Sequence, residues 1–228
     1  MRNVLFALFM SLAAVPAANA EVSVNLGINL GGYPRLVAVP GYPVYYAPAV
    51  NANYFFYDGL YWDFEGDNWY ASSWYNGPWR LVDPFAVPVY LLQVPVRYYR
   101  HPPAYFRGWR GDASPRWHEH WGRDWADRRG GWNTRSVQRI APAPLPNYQR
   151  QYSGNRYPTA EQQSSLHGQN YRYQPREQVV QQHYQQQGIV ARSPEPRGDN
   201  RPRGNEQRGD NRGRGNEQRG DNRGHEQH

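Results

Sequence analysis

From Glu21 to Leu30 the chain alternates strictly: Val22, Val24, Leu26, Ile28 and Leu30 fall on one side, and Glu21, Ser23, Asn25, Gly27 and Asn29 on the other. A period of two sends successive side chains to opposite faces, so this segment predicts a half-buried strand. The same pattern would suit one strand of an outer-membrane barrel. Such a barrel needs at least about eight of them, and no other stretch alternates as cleanly. Prolines at 34, 40, 43 and 48 then remove backbone donors and favour extended geometry, which predicts a connecting arm, with an edge strand at most, carrying Tyr42, Tyr45 and Tyr46.

Residues 53–82 hold the strongest pattern. The aromatic or β-branched runs Tyr54 to Tyr57, Leu60 to Phe64, Asn68 to Trp74 and Trp79 to Val82 are separated by Asp58-Gly59, Glu65-Gly66-Asp67 and Asn76-Gly77. Asp-Gly and Asn-Gly supply the positive φ that tight hairpin turns require, and rings flanking such turns gain from cross-strand pairing. The prediction is a tight antiparallel meander ending near Pro78. Residues 85–100 are apolar on both faces and predict a segment covered on both sides or paired with another chain; Pro88 and Pro95 argue against a central strand. A helix near 115–129 is expected, with Ser114 as N-cap, Pro115 at its first turn and Gly130-Gly131 as its stop. Along it Trp117, Trp121 and Trp125 recur every four residues, and Glu119 with Arg123 and Asp124 with Arg128 are acid-before-base pairs. Gly122 weakens this helix by about 1 kcal/mol relative to Ala.

Beyond Asn133 no Trp or Phe remains, Gln, Arg, Pro, Asn and Gly dominate, and Arg-Gly-Asp-Asn-Arg starts at 197, 208 and 219. An 11-residue period can describe a hendecad helix, but two glycines per repeat and no apolar position leave nothing to bury. The organisation expected is therefore a leader over 1–20, an N-terminal strand and Pro-rich arm over 21–50, an aromatic β-meander module with its helix over 51–132, and a disordered Arg/Gln/Gly-rich tail over 133–228. The fold class expected is mainly β: a small aromatic antiparallel meander plus one amphipathic helix.

The leader follows from position. Arg2 precedes a mostly apolar run from Val4 to Val15, then Pro16 and Ala18-Asn19-Ala20, the layout of an export signal with cleavage before Glu21. A run of about twelve residues covers about 18 Å, too short for the roughly 30 Å hydrocarbon core. The expectation is a protein exported to the periplasm, the outer-membrane face or the medium, without a membrane-spanning helix after cleavage.

Composition narrows the chemistry. The chain of 228 residues has no cysteine and no lysine, so all 26 fixed cations are arginines. That excludes disulfide frameworks, thiolate metal sites, thiol nucleophiles and Schiff-base lysines. Aromatics reach 15% within only 39% hydrophobics, and mean hydropathy is −0.96, so apolar surface is concentrated in large rings. Rings burying about 150–250 Å² each, at about 25 cal/mol/Å², suffice for a small core. Net charge is −2 over 21–100 and +4 in each of 101–140 and 141–228. A mixed-sign basic tail solubilises or attaches weakly to anionic envelope polymers; export argues against nucleic acid, although Arg/Gly segments also bind RNA.

Trp74-Tyr75-Asn76-Gly77-Pro78-Trp79 reads W-x-x-G-x-W, and Phe56-Tyr57-Asp58-Gly59-Leu60-Tyr61 is a degenerate copy 18 residues earlier. With the leader and basic tail, the chain resembles small exported proteobacterial proteins carrying WxxGxW (YxWGxW) repeats, a family without an assigned activity. More loosely, Gly66-Asp67-Asn68-Trp69-Tyr70 resembles the hairpins of bacterial choline- and glucan-binding repeats, which implies ligand cages between consecutive hairpins.

Candidate chemistry is sparse. Asp63, Glu65 and Asp67 flank Gly66, but the loop departs from the calcium-loop pattern and no cleft is evident for paired glycosidase carboxylates; turn solvation is the simpler reading. His118 and His120 would share a face only in a strand. Arg-Gly-Asp, at 110 and within the repeats, follows from composition. No nucleophile elbow, zinc helix or phosphate loop is present, so no catalytic residue, metal or cofactor is assigned. The reading is a non-catalytic envelope module whose Trp69, Trp74, Trp79 and Tyr61 contact a glycan such as peptidoglycan, or lipopolysaccharide or another anionic envelope polymer. One alternative is a structural envelope protein with those rings as its core. The other is membrane-surface association through Trp117, Trp121 and Trp125 with Arg116, Arg123 and Arg128.

Overall fold

The computed structural model describes residues 23–24, 26–134 and 140–188. The leader expected over 1–20 and the 11-residue repeats lie outside the described residues. The centre is a seven-stranded antiparallel sheet in the order β1-β7-β6-β5-β4-β3-β2. Its strands are β1 (Ser23–Val24), β2 (Val37–Ala38), β3 (Val44–Tyr46), β4 (Tyr54–Tyr57), β5 (Leu60–Glu65), β6 (Asn68–Ser72) and β7 (Trp79–Val82). Strands β2 to β7 form an uninterrupted meander, and β1 closes the other edge by pairing Ser23 with Arg80 and Val24 with Trp79.

The turns set this register. Tyr57 faces Leu60 across Asp58-Gly59, and Glu65 faces Asn68 across Gly66-Asp67. All four turn residues have positive φ, at 50° and 92° in the first pair and 56° and 68° in the second. Two consecutive positive-φ residues are the type I′ geometry whose twist matches the flanking strands. The third break differs: only Gly77 has positive φ, at 86°, and Gly77-Pro78 is a cis peptide.

With register fixed, alternation sorts the side chains into two cores. One face carries Phe55, Trp62, Phe64 and Trp69 and is covered by residues 84–132 and by the helix α5 (Gln178–Gln186). The other carries Tyr54, Phe56, Tyr61 and Trp79 and is covered by 26–36 and 143–173.

The N-terminal pattern is half realised. The ladder ends after Val24, yet Leu26, Ile28 and Leu30 remain half-buried while Gly27 and Asn29 are exposed. Gly27 turns the chain out of the sheet with φ of 68°. The Pro-rich arm does become an edge, the hairpin β2–β3. The apolar stretch 85–100 is covered on both sides as helical turns, including α1 (Val89–Leu92), because Pro88 and Pro95 each precede a helical turn. The expected helix near 115–129 is two pieces, α2 (Trp117–His120) and α3 (Gly122–Arg128). Gly122 takes φ of 83°, which breaks the helix and the spacing between Glu119 and Arg123; Glu119 pairs with Arg116 instead, at 3.1 Å.

The expectation of disorder from Asn133 is corrected over 140–188. This segment contains two 3₁₀ turns, α4 (Ala160–Asn170) and α5, and Gln149 and His167 within it are fully buried. Tyrosine rings supply apolar area while their hydroxyls find acceptors, and Gln149 is satisfied inside: its amide donates to Ser73 O at 2.9 Å, and its carbonyl accepts from Tyr61 Oη at 3.0 Å. Low hydropathy signals disorder only when the polar groups have no partners waiting.

Candidate functional site

The rings expected to contact ligand are core. Trp69, Trp74, Trp79 and Tyr61 are exposed by only 1%, 0%, 2% and 0%. Trp74 sits among Tyr148, Tyr152 and Tyr157 with ring centroids 5.4–5.8 Å away, and its indole N–H donates to Gln163 O at 3.1 Å. Trp79 packs edge-on against Tyr54 at 5.8 Å. No face of these indoles is left for a sugar, so the ligand-platform assignment is withdrawn.

The tryptophan stripe docks on the sheet. Trp117 and Trp125 are buried, donating to Leu92 O at 2.9 Å and Pro84 O at 3.2 Å, and Trp121 stacks on Trp117 at 4.5 Å. Arg116, Arg123 and Arg128 are exposed; Arg116 lies 5.2 Å over Trp109 and Arg128 lies 4.9 Å over Phe85.

What is open is a cleft of about 620 Å³ at one end of the sheet. The start of β4 and the end of β5 meet there because Tyr54 pairs with Asp63. The strap 26–30, residues 50–53, the turn 64–67 and the loop 101–105 form its walls. Asn53 holds the loop in place: its amide donates to Phe64 O at 2.8 Å and to His101 O at 2.7 Å, while its carbonyl accepts from His101 N at 2.8 Å. Asn76, in the third turn, fixes the strap by accepting from Leu30 N at 3.0 Å.

The rim is acidic and aromatic. Asp67 accepts from Tyr105 Oη at 2.8 Å and lies 2.7 Å from His120 Nε2, and the Tyr105 and His120 rings stack at 3.7 Å. Glu65 lies beside them, exposed. The partner of His120 is thus Asp67 rather than His118. One strand position before this cleft, Asp63 is fully buried on the same face of β5 as Glu65, with no hydrogen-bond partner for either carboxylate oxygen. Burial, and then the charge of Glu65, push its pKa up to about 8, against a smaller opposing effect of the Phe64 backbone. The three carboxylates therefore separate by environment: one neutral inside, one tied to Tyr105 and His120, one open to solvent. Among the described residues, no group of three or more His, Asp or Glu is arranged to hold a metal ion.

Asn51, Asn53, His101 and Tyr105 carried no signal in the sequence, since they come from two separate connections with no motif. Compared with protein-family models, with curated proteins and with solved structures, the chain gives no match.

Proposed function

We propose that this chain is an exported, non-catalytic binding protein of the cell envelope, and that its ligand is a glycan held in the cleft at the end of the sheet. The observation that carries the reading is the combination of a large open cleft with Tyr105, Glu65 and Asn51 on its walls, in a molecule whose Trp69, Trp74 and Trp79 indoles are sealed. Concave sites that pair a ring with a few polar groups are the usual form of small-ligand binding. Sugar hydroxyls donate to carboxylate and amide oxygens, which are the groups this rim presents. Export rests on the pattern of residues 1–20. The acidic rim argues against lipopolysaccharide phosphate or another polyanion in this cleft, because like charges brought together cost affinity; such polymers are left to the exposed arginines.

The test is co-sedimentation with purified peptidoglycan. Glu65→Gln together with Tyr105→Ala should lower binding about tenfold or more, while Arg123→Gln with Arg128→Gln leaves it unchanged. Binding lost only in the arginine pair, or absent from the unmodified protein, refutes the cleft. A purely structural role is the second reading, favoured by the burial of Trp69, Trp74 and Trp79. Membrane-surface association through 115–129 would need Trp117 and Trp125 facing outward; both face the sheet.

A further inference from the structure

The two copies of the aromatic-x-x-Gly-x-aromatic sequence share a feature that neither ring pattern nor turn type announces. In the first copy, Gly59 O accepts a hydrogen bond from Tyr184 Oη at 2.9 Å. In the second, Gly77 O accepts one from Tyr157 Oη at 2.8 Å. Both tyrosines belong to 140–188, and the partners are 125 and 80 residues apart in sequence. The residue before each glycine joins in: Asp58 accepts from Tyr173 Oη at 2.6 Å and from Glu177 N at 2.9 Å, ahead of α5, and Asn76 N donates to Tyr157 Oη at 3.0 Å.

We propose that this turn is a receptor for a tyrosine hydroxyl presented by a second polypeptide segment, and that the chain fills both of its receptors with its own residues 140–188. The glycine has two roles. Its positive φ, 92° at Gly59 and 86° at Gly77, aims the turn outward. At Gly59 the missing Cβ leaves room for the incoming ring, since a Cβ there would lie 2.1 Å from Tyr184 Oη; at Gly77 it leaves room for the flanking Trp79 indole, 2.9 Å from where a Cβ would stand. The flanking rings complete the seat, since Trp74 and Tyr75 both pack edge-on against Tyr157, at 5.8 and 5.3 Å. The partner recognised is therefore an extended or helical segment carrying tyrosines with glutamines between them, as Gln163 shows by also donating to Gly77 O at 3.1 Å. This reading is independent of the cleft.

Hydrogen exchange on the intact mature protein tests it, comparing Tyr157→Phe, Tyr184→Phe and the control Tyr152→Phe, which keeps its ring on Trp74. Each hydroxyl removed from a turn should raise exchange about fivefold in its own stretch, 148–163 for Tyr157 and 173–186 for Tyr184, while β4 to β7 keep their protection. A second measurement covers the case of a variant that folds poorly. Gly59→Ala combines backbone strain with a clash against Tyr184, so its effect on the folded-to-unfolded ratio should be at least about fivefold smaller in a Tyr184→Phe background than in the native one. The proposal is overturned if the two turn variants exchange no faster than the Tyr152→Phe control, if residues 140–188 and the sheet loosen equally, or if Gly59→Ala costs the same in both backgrounds.

Discussion

Replacing Asp63 with asparagine should remove a dependence of stability on pH between neutrality and mild alkali. Asp63 is fully buried and its pKa stands at about 8 rather than the ordinary 3.8. The folded state keeps the proton where the unfolded chain has already released it. Its contribution is thus complete below pH 3.8 and declines as pH rises, at about 1.36 kcal/mol per pH unit, until the folded carboxyl ionises near pH 8. His167 works in the opposite sense. Burial lowers its pKa from 6.5 to about 4, so its contribution is present above 6.5 and is lost as pH falls toward 4. Burial also lowers His183, adding to the acid side.

Between about pH 4 and 6.5 the slopes oppose one another and stability should change little. From 6.5 to 8 Asp63 alone of these three groups still contributes a slope, and the loss should be about 2 kcal/mol. With a urea m-value of about 2 kcal/mol/M, that is a drop of about 1 M in the denaturation midpoint, read by tryptophan fluorescence at pH 6.5 and 8.5. Asp63→Asn should show no drop in that window and a rise in stability from pH 4 to 6.5. An equal midpoint at both pH values in the native protein, or the same drop in the variant, would refute the assignment of a neutral buried carboxyl.

Ending the chain at Thr134 should abolish cooperative folding rather than trim a tail. It strips the cover from Trp74, Tyr75 and Trp79, each worth several kcal/mol at about 25 cal/mol/Å², against a whole-domain margin of about 5–15 kcal/mol; near-UV circular dichroism without a sigmoidal melt is the expected result. Trp74→Ala should cost about 3–5 kcal/mol in urea denaturation, and clearly more than Trp121→Ala, because Trp74 is enclosed while Trp121 is only half-buried.

The meander was legible because its determinants are local. Asp58-Gly59 and Gly66-Asp67 are residues that accept the positive φ a two-residue turn requires, and a two-residue hairpin leaves one register for the strands beside it. The segment 140–188 was not legible for the converse reason. Gln149, Tyr157 and Tyr184 read as polar or neutral in a hydropathy count, and what buries them is a set of acceptors on Ser73, Gly77 and Gly59 that exist only once the sheet has formed. The rings misled in the same way. Trp74 and Trp79 look like a platform when the sequence offers nothing to cover them, and the cover arrives from far along the chain.

By itself, then, the sequence determined the four strands between Tyr54 and Val82 and the two tight turns that join the first three, since backbone φ and ring pairing beside a turn act over a few residues. Only the tertiary structure decided which rings would be sealed, which carboxyl of three would stay neutral, and where an open cleft would remain. Those outcomes depend on desolvation and on hydrogen bonds between segments tens to more than a hundred residues apart, and neither is set until both partners are in place.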